Sequence, residues 1–127
     1  MKVIIAGGRD FMEYDLLKST CDYMLSKINQ IEIVSGCSRG ADLLGEKYAE
    51  QSGIPIKRFP ADWEKFGKGA GYKRNSEMAT YADCLIAFWD GESRGTRHMI
   101  NTAKKHGLQI KIVKYEKVYS TDHLVKR

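Results

Sequence analysis

The sequence predicts a single α/β domain in which a five-stranded parallel sheet lies between two layers of helices. Short runs of β-branched and apolar residues alternate strictly with longer stretches of helical spacing. Such alternation is typical of strand–helix–strand units, whose right-handed crossovers place helices on both faces of the sheet. At 127 residues, with 43% hydrophobic and 29% charged residues, the chain is long enough for one core but not two. We expect the strand order 3-2-1-4-5.

Five short runs of apolar and β-branched residues predict the strands. The first opens the chain as Lys-Val-Ile-Ile-Ala, and the others have similar length and composition. Runs of this kind favour strands over helices. The predicted strands are residues 2–6, 31–35, 55–59, 83–88 and 109–113.

Four stretches between these strands carry apolar residues at helical spacing, and each predicts a crossover helix. Leu17, Met24 and Ile28 belong to the pattern of the first stretch. Gly53 and Gly107 follow the second and fourth stretches, where glycine commonly terminates a helix. The predicted helices are residues 13–29, 41–52, 71–81 and 96–106.

Composition narrows the class of protein. The 3 cysteines are scattered without C-x-x-C spacing, so neither a disulfide framework nor a zinc site is indicated, and no metal ligand set is expected. No apolar run approaches the roughly 20 residues that span a bilayer, and the amino terminus does not resemble a signal peptide. We expect a cytoplasmic protein without a membrane partner.

The basic balance of the chain has three interpretations. A net charge of +5 and a pI near 9.1 suit nucleic acid, an anionic ligand or only a solvated surface. Much of the lysine excess lies in the last quarter of the chain. Residues 1–114 are expected to form the binding domain, and residues 115–127 a basic tail that is either partly mobile or packed at a subunit interface.

Glycine- and arginine-rich loops follow three of the predicted strands. In an open parallel sheet the carboxyl ends of the strands form the ligand-binding edge. Glycine-rich turns let backbone N–H groups approach a phosphate, and the following helix N-terminus adds partial positive charge. The loops at residues 7–11, 36–42 and 89–96 therefore predict an anion site. The alternative is that their glycines meet only the steric needs of tight turns.

The arginines strengthen the anion hypothesis. Arginine is suited to bidentate contact with phosphate or carboxylate. The alternative is that Arg39 or Arg97 pairs with a neighbouring acid such as Asp42 or Glu46. Five of the seven arginines fall in or just after loops at the predicted edge: Arg9, Arg39, Arg74, Arg94 and Arg97.

The connection at residues 60–75 is the longest without clear periodicity, and it is expected to be a loop. Its aromatic residues Trp63, Phe66 and Tyr72 are candidates to stack on a base or cover a sugar. Lys68 and Arg74 are candidates to contact phosphate. The alternative for Trp63 and Phe66 is that they only anchor the loop onto the sheet.

Four aspartates follow predicted strands or turns, and each has two interpretations. Asp10, Asp42, Asp62 and Asp90 are candidates to accept ribose hydroxyls or transfer protons, but aspartate is also common as a helix or turn cap. For Asp10 we expect capping, because Glu13 completes a capping-box pattern. Asp90, directly after a central strand, is the strongest functional candidate of the four.

Taken together, these motifs resemble the SLOG superfamily, a Rossmann-like group that includes the DprA and LOG phosphoribohydrolase families. The resemblance is closest to its small YspA-like branch, which occurs in phage and bacterial genomes. It implies a pocket that binds nucleotides, nucleotide-derived signals or, as in DprA, single-stranded DNA. The matching segments, in order, are residues 7–11, 35–42, 60–63, 71–78, 87–91 and 93–96.

The resemblance also bears on catalysis. LOG enzymes cleave a nucleotide N-glycosidic bond with an arginine in an R-K-x-x-M run and a glutamate after a glycine–threonine turn. Here residues 74–78 keep the arginine and methionine, and Gly95 and Thr96 keep the turn. The glutamate position is occupied by Met99, which cannot transfer a proton. Hydrolysis would therefore require Asp90 or Glu92 as the catalytic acid.

We therefore expect a module that senses or sequesters a nucleotide or an ADP-ribose-type molecule, with no further cofactor. The alternatives are a nucleoside-phosphate N-glycoside hydrolase and a DprA-like single-stranded DNA binder. Related folds commonly self-associate, which implies a homodimer or homotetramer. The predicted ligand-binding residues are Gly7, Gly8, Arg9, Ser35, Gly36, Ser38, Arg39, Gly40, Asp42, Trp63, Lys68, Arg74, Asn75, Asp90, Gly91, Ser93, Arg94, Gly95 and Thr96.

Overall fold

The structure is a computed structural model that describes residues 1–116. Its five strands pair in parallel in the order β3-β2-β1-β4-β5, as the sequence predicts. Helices cover both faces, so the domain has the Rossmann-like three-layer architecture. The strands are β1 (Lys2–Gly7), β2 (Glu32–Ser35), β3 (Ile56–Arg58), β4 (Cys84–Trp89) and β5 (Gln109–Lys114).

The four predicted helices are present, and a short fifth one precedes the third of them. The first helix is shorter than predicted because the chain turns after Leu25, and Gln30 adopts a left-handed φ of 56° before β2. Ile28, which extended the apolar pattern, still packs against the core from this turn. The helices are α1 (Tyr14–Leu25), α2 (Ala41–Ser52), α3 (Trp63–Phe66), α4 (Ala70–Tyr81) and α5 (Arg94–Lys105).

The prediction of a long loop at residues 60–75 is wrong. The Asp62 carboxylate accepts the N–H of Lys65 at 3.1 Å and caps α3. A 3₁₀ turn at Gly67–Gly69 then leads directly into α4. The glycines of this turn interrupt the apolar spacing, which is why the periodicity did not reveal a helical connection.

The core consists of two layers, one on each face of the sheet. Successive side chains of a strand point to opposite faces, so Val3 and Ile5 pack with α1 and α2, whereas Ile4 and Ala6 pack with α4 and α5. The central strands β1 and β4 are joined in register, with Gly7 opposite Phe88. The glycine loop after β1 therefore begins at the centre of the sheet edge.

Tyr115 ties the end of the described chain to the first loop. Its ring packs against Phe11, with centroids 4.8 Å apart, and its hydroxyl donates to Asp10 Oδ1 at 2.6 Å. The capping-box prediction for Asp10 is therefore wrong: α1 has Glu13 at its N-cap and no side-chain capping bond. The rest of the predicted basic tail, residues 117–127, lies outside the described residues.

Among residues 1–116, no helix combines the length and the apolar character that crossing a bilayer would require.

Candidate functional site

A cleft of about 710 Å³, here called the main cleft, opens at the carboxyl edge of the sheet. This is the edge at which parallel α/β sheets bind ligands. The loops after β1, β2 and β4 form its floor and sides, and α3 and α4 close one flank. Its lining residues are Ala6, Gly7, Gly8, Arg9, Asp10, Ser38, Arg39, Asp42, Trp63, Lys68, Gly71, Tyr72, Arg74, Asn75, Met78, Asp90, Glu92, Ser93, Gly95, Thr96 and Met99.

A second cavity of about 510 Å³, here called the side cavity, adjoins the main cleft. The loops after β2 and β3 enclose it, so it lies toward the β3 edge of the sheet. Gly36, Cys37, Pro60 and Ala61 line the side cavity alone. The residues that line both cavities are Arg9, Ser38, Arg39, Trp63 and Arg74.

The loops after β1 and β2 touch through their backbones. The N–H of Ala41 donates to Gly8 O at 3.2 Å, which joins the start of α2 to the first loop. Gly40 has a φ of +82°, and a Cβ there would lie 2.3 Å from Gly8 O. No side chain fits between the loops, and they form one continuous wall of the main cleft.

Asp42 and Arg74 meet beside Gly36 at the back of the main cleft. Asp42 Oδ2 accepts the N–H of Ser38 at 3.2 Å, and Arg74 donates through Nη1 to Gly36 O. A Cβ on Gly36 would lie 2.8 Å from Asp42 Oδ2 and 2.9 Å from Arg74 Nη1. A glycine at this position therefore lets the carboxylate and the guanidinium flank the β2–α2 loop.

Burial raises the pKa of the Asp42 carboxyl to about 7, and the charges of Arg74 and Arg9 only partly oppose this effect. The native pKa lies above the unfolded value of 3.8. At pH values between the two, the native state therefore holds a proton that the unfolded state has lost. The resulting contribution of Asp42 to the free energy of unfolding is complete below pH 4 and is lost as the pH rises through about 7.

We therefore expect Asp42→Asn to flatten the pH dependence of stability. Asparagine still accepts the Ser38 N–H but carries no charge to bury. Between pH 5 and pH 8 the wild-type protein should lose about 2–3 kcal/mol of unfolding free energy relative to the variant. Urea titrations of both proteins at each pH measure this difference. Parallel curves for the two proteins would contradict the expected burial of the charge.

Arg74 is the most enclosed cation of the main cleft, with only 8% of its surface exposed. Its Nε donates to Asn75 Oδ1 at 3.1 Å, and burial lowers the pKa of its guanidinium. Among the ion pairs of residues 1–116, none includes Arg74, Arg9 or Arg39. The alternative that Arg39 pairs with Glu46 is therefore wrong, because Glu46 pairs with Arg58 at 2.9 Å.

The loop after β4 ends in a capped helix N-terminus that faces the main cleft. Ser93 Oγ accepts the N–H of Thr96 at 3.4 Å. Asp90 Oδ1 accepts the N–H groups of Glu92 and Ser93, each at 2.8 Å. Asp90 therefore caps the turn, and it also lines the cleft, so its role toward a ligand stays a prediction.

Asn75 connects α4 to this helix N-terminus. Its Nδ2 lies 3.4 Å from Gly95 O and 3.1 Å from His98 Nδ1. Tyr72, one turn of α4 earlier, stacks on the His98 ring with centroids 4.0 Å apart. These contacts fix the distance between Arg74 and the first turn of α5.

The aromatic residues of the 60–75 segment are not anchors buried against the sheet. Trp63 is 50% exposed and lines both cavities, and Tyr72 is 48% exposed and lines the main cleft. Phe66 is exposed but lines neither cavity. Two of the three aromatic candidates therefore face the space that a ligand would occupy.

Most of the predicted site residues gather around the main cleft, but five do not line it. Gly36 lines only the side cavity, and Ser35 is buried, with its hydroxyl donating to Glu46 Oε2 at 2.6 Å. Gly40, Gly91 and Arg94 line neither cavity. The ligand-residue prediction did not include three apolar residues that line the main cleft, Ala6, Met78 and Met99. The alternation of side-chain direction along β1 and the helical spacing of apolar residues in α4 and α5 were the signals that could have identified these three residues.

Comparison with known proteins places the chain in a family. The sequence model of the YAcAr family, described as the YspA, cpYpsA-related SLOG family, matches residues 1–66. A phage relative, the Gene 61 protein of Mycobacterium phage D29, is 34% identical over 116 residues, which cover 86% of this chain and 93% of that protein. The chain belongs to the SLOG family. The resemblance inferred from the motifs is confirmed.

A solved structure supports the fold of this SLOG protein. DNA processing protein A from Helicobacter pylori, studied for its single-stranded DNA binding mode, superposes with a TM-score of 0.62. The match covers 99% of this chain and 72% of that one, at 20% sequence identity. At this identity the likeness establishes the shared architecture. The function has to be argued from the site itself.

Proposed function

We propose that this SLOG protein binds a nucleotide or nucleotide-derived ligand in the main cleft. The observation that carries the proposal is Arg74, a buried guanidinium that lines the cleft beside Asp42 but forms no ion pair within 4 Å among residues 1–116. Burying a charge is costly unless it is compensated. An anionic ligand group would supply that compensation, and phosphate matches the planar donor pattern of arginine.

The rest of the main cleft suits the remainder of a nucleotide. Asp42 is 6% exposed, and its single hydrogen bond in residues 1–116 uses Oδ2, which leaves Oδ1 available to a ligand hydroxyl or amine. Tyr72 and Trp63 offer ring faces at the mouth, where base stacking contributes about 1–3 kcal/mol. The first turn of α5 adds N–H donors for a phosphate.

Gly95→Ala tests the position of the ligand without disturbing the protein. A Cβ at Gly95 meets no atom within 4 Å, so the fold should accept it and gain up to about 1 kcal/mol in helix stability. The methyl group would instead occupy ligand space at the start of α5. We expect roughly a tenfold loss of nucleotide affinity, measured by isothermal titration, with an unchanged or raised melting temperature.

Gly69→Ala is the matched control for this variant. Gly69 also has open space around its Cβ position, but it lines neither cavity. It should leave nucleotide affinity unchanged. If the two variants affected affinity equally, the ligand would not contact the α5 terminus.

The proposal itself is tested by titrating the protein with nucleoside mono-, di- and cyclic phosphates and ADP-ribose. Mass spectrometry of small molecules released on denaturation provides an independent readout. We expect at least one nucleotide to bind and Arg74→Ala to weaken its binding severely. The absence of binding across this panel, together with no released nucleotide, would refute the proposal.

Hydrolysis is the less favoured function of the same cleft. Met99, at the position of the LOG glutamate, lines the cleft with a thioether and is 1% exposed. Asp90 and Glu92 also line the cleft, and Asp90 already accepts two N–H groups through Oδ1. Chromatographic release of free base, lost in Asp90→Asn or Glu92→Gln, would establish the enzyme. Intact nucleotides after prolonged incubation would exclude it.

Single-stranded DNA is a second candidate ligand, favoured by the exposed aromatic residues beside the arginines. Trp63, Phe66 and Tyr72 lie on one segment, and stacking on such rings tolerates any base. Affinity for DNA would then fall steeply with salt, because each phosphate contact releases counterions. A labelled oligonucleotide that fails to bind at low salt would eliminate this candidate.

A further inference from the structure

We propose that the ligand carries two linked phosphate groups, one in the main cleft and the other in the side cavity. The site would thus select nucleoside diphosphates and their derivatives over monophosphates. This inference rests on the proposed function and specifies the class of ligand.

The two cavities differ in the sign of their lining charges. The side cavity contains three arginines and no carboxylate, whereas the main cleft combines cations with four acidic side chains. Carboxylates suit the hydroxyls and amines of a sugar and a base, and they repel a second phosphate. A highly anionic group is therefore better placed in the side cavity. The acidic side chains of the main cleft are Asp10, Asp42, Asp90 and Glu92.

Arg74 lies at the junction and lines both cavities. Its Nε and Nη1 are occupied by Asn75 and Gly36, and no hydrogen bond within residues 1–116 uses Nη2. The guanidinium is thus held in place with donor capacity left over. A pyrophosphate spanning the junction would accept hydrogen bonds from Nη2.

Arg9 and Arg39 supply the charge for the second phosphate. Neither forms an ion pair among the described residues, although both are exposed and line the side cavity. Pro60, Ala61 and Trp63 line the same cavity and add no negative charge to it.

The backbone of the β2–α2 loop keeps the side cavity open. Cys37 adopts a left-handed φ of 67°, and its N–H donates to Ser35 Oγ at 3.1 Å. The next N–H, that of Ser38, is held by Asp42. The turn is therefore fixed from both ends, and Gly36, which has no side chain, lies directly beside the Arg74 guanidinium.

Ala61 offers the sharpest test, because it lines only the side cavity. Ala61→Asp adds a negative charge there, and Ala61→Asn adds the same bulk without the charge. Both variants and the wild-type protein are titrated with the 5′-mono- and 5′-diphosphates of the four ribonucleosides. Thermal unfolding of each protein confirms that it is folded.

In the wild-type protein we expect the diphosphate to bind about tenfold more tightly than the monophosphate of the same nucleoside. Ala61→Asp should remove this preference and leave monophosphate affinity within about twofold, whereas Ala61→Asn should retain most of the preference. Equal binding of mono- and diphosphates, or a preference that survives in Ala61→Asp, would overturn the inference while leaving nucleotide binding intact. If no nucleotide binds the wild-type protein, the proposed function fails as well.

Discussion

Arg74→Ala should severely weaken nucleotide binding. The substitution removes the buried guanidinium that lines both cavities and that donates to Gly36 O. Removing one partner from a buried, charge-assisted contact typically costs about 2–5 kcal/mol, which corresponds to a loss of affinity of roughly 30- to several thousand-fold. Isothermal titration with the tightest-binding nucleotide of the panel measures this loss.

Lys73, directly before Arg74 in α4, provides a control for the loss of one positive charge. Lys73 is exposed, lies 3.9 Å from Glu77 through its Nζ, and lines neither cavity. Lys73→Ala removes the same net charge from the same helix and should leave affinity within about twofold, because exposed ion pairs contribute little. Equal losses in both variants would show that binding depends on overall charge instead of the Arg74 contact.

Arg74→Lys separates charge from geometry at the same position. Lysine keeps the positive charge but cannot donate in two directions from a fixed plane. We expect it to recover only a small part of the lost affinity. Recovery close to the wild-type value would mean that a point charge is sufficient and that the planar donor pattern has no role.

The fold was predictable because its determinants are local. Each strand is a short apolar run, and the crossover helices carry apolar residues at regular spacing, so residues such as Val3 and Ile100 identify their own elements. The strict alternation of strands and helices then leaves only a few possible topologies for the parallel sheet. Helix α3 was missed because it is a single capped turn followed by Gly67, too short for periodicity to develop.

The site was predictable in outline but not in its contacts. The position of a loop at the sheet edge follows from topology, which is why Arg9 and Arg39 were found, whereas Arg74 lies on α4. Which side chains reach the cleft depends on the exact geometry at each helix start: Gly95 lines the main cleft, whereas the preceding Arg94 lines neither cavity. The bond from Tyr115 to Asp10 joins residues 105 positions apart, and no local pattern could reveal it.

Gly40→Ala should destabilise the protein by more than about 3 kcal/mol. Its backbone, with φ of 82° and ψ of −129°, lies in a region that is almost restricted to glycine, at a cost of about 1–3 kcal/mol for any other residue. The added Cβ would also lie 2.3 Å from Gly8 O and 2.7 Å from the Arg9 carbonyl carbon. Because both obstacles are backbone atoms, the two loops would have to separate. Urea denaturation measures the loss.

Gly53→Ala distinguishes the two causes of this destabilisation. Gly53 also has a positive φ, of 67°, but a Cβ there meets nothing within 4 Å. Its substitution should cost only about 1–2 kcal/mol and leave nucleotide affinity unchanged. Gly40→Ala should cost more and weaken binding, since separating the loops moves Arg9 and breaks the bond from Ala41 N–H to Gly8 O. Equal losses of stability with unchanged affinity would show that the contact between the loops does not hold the site together.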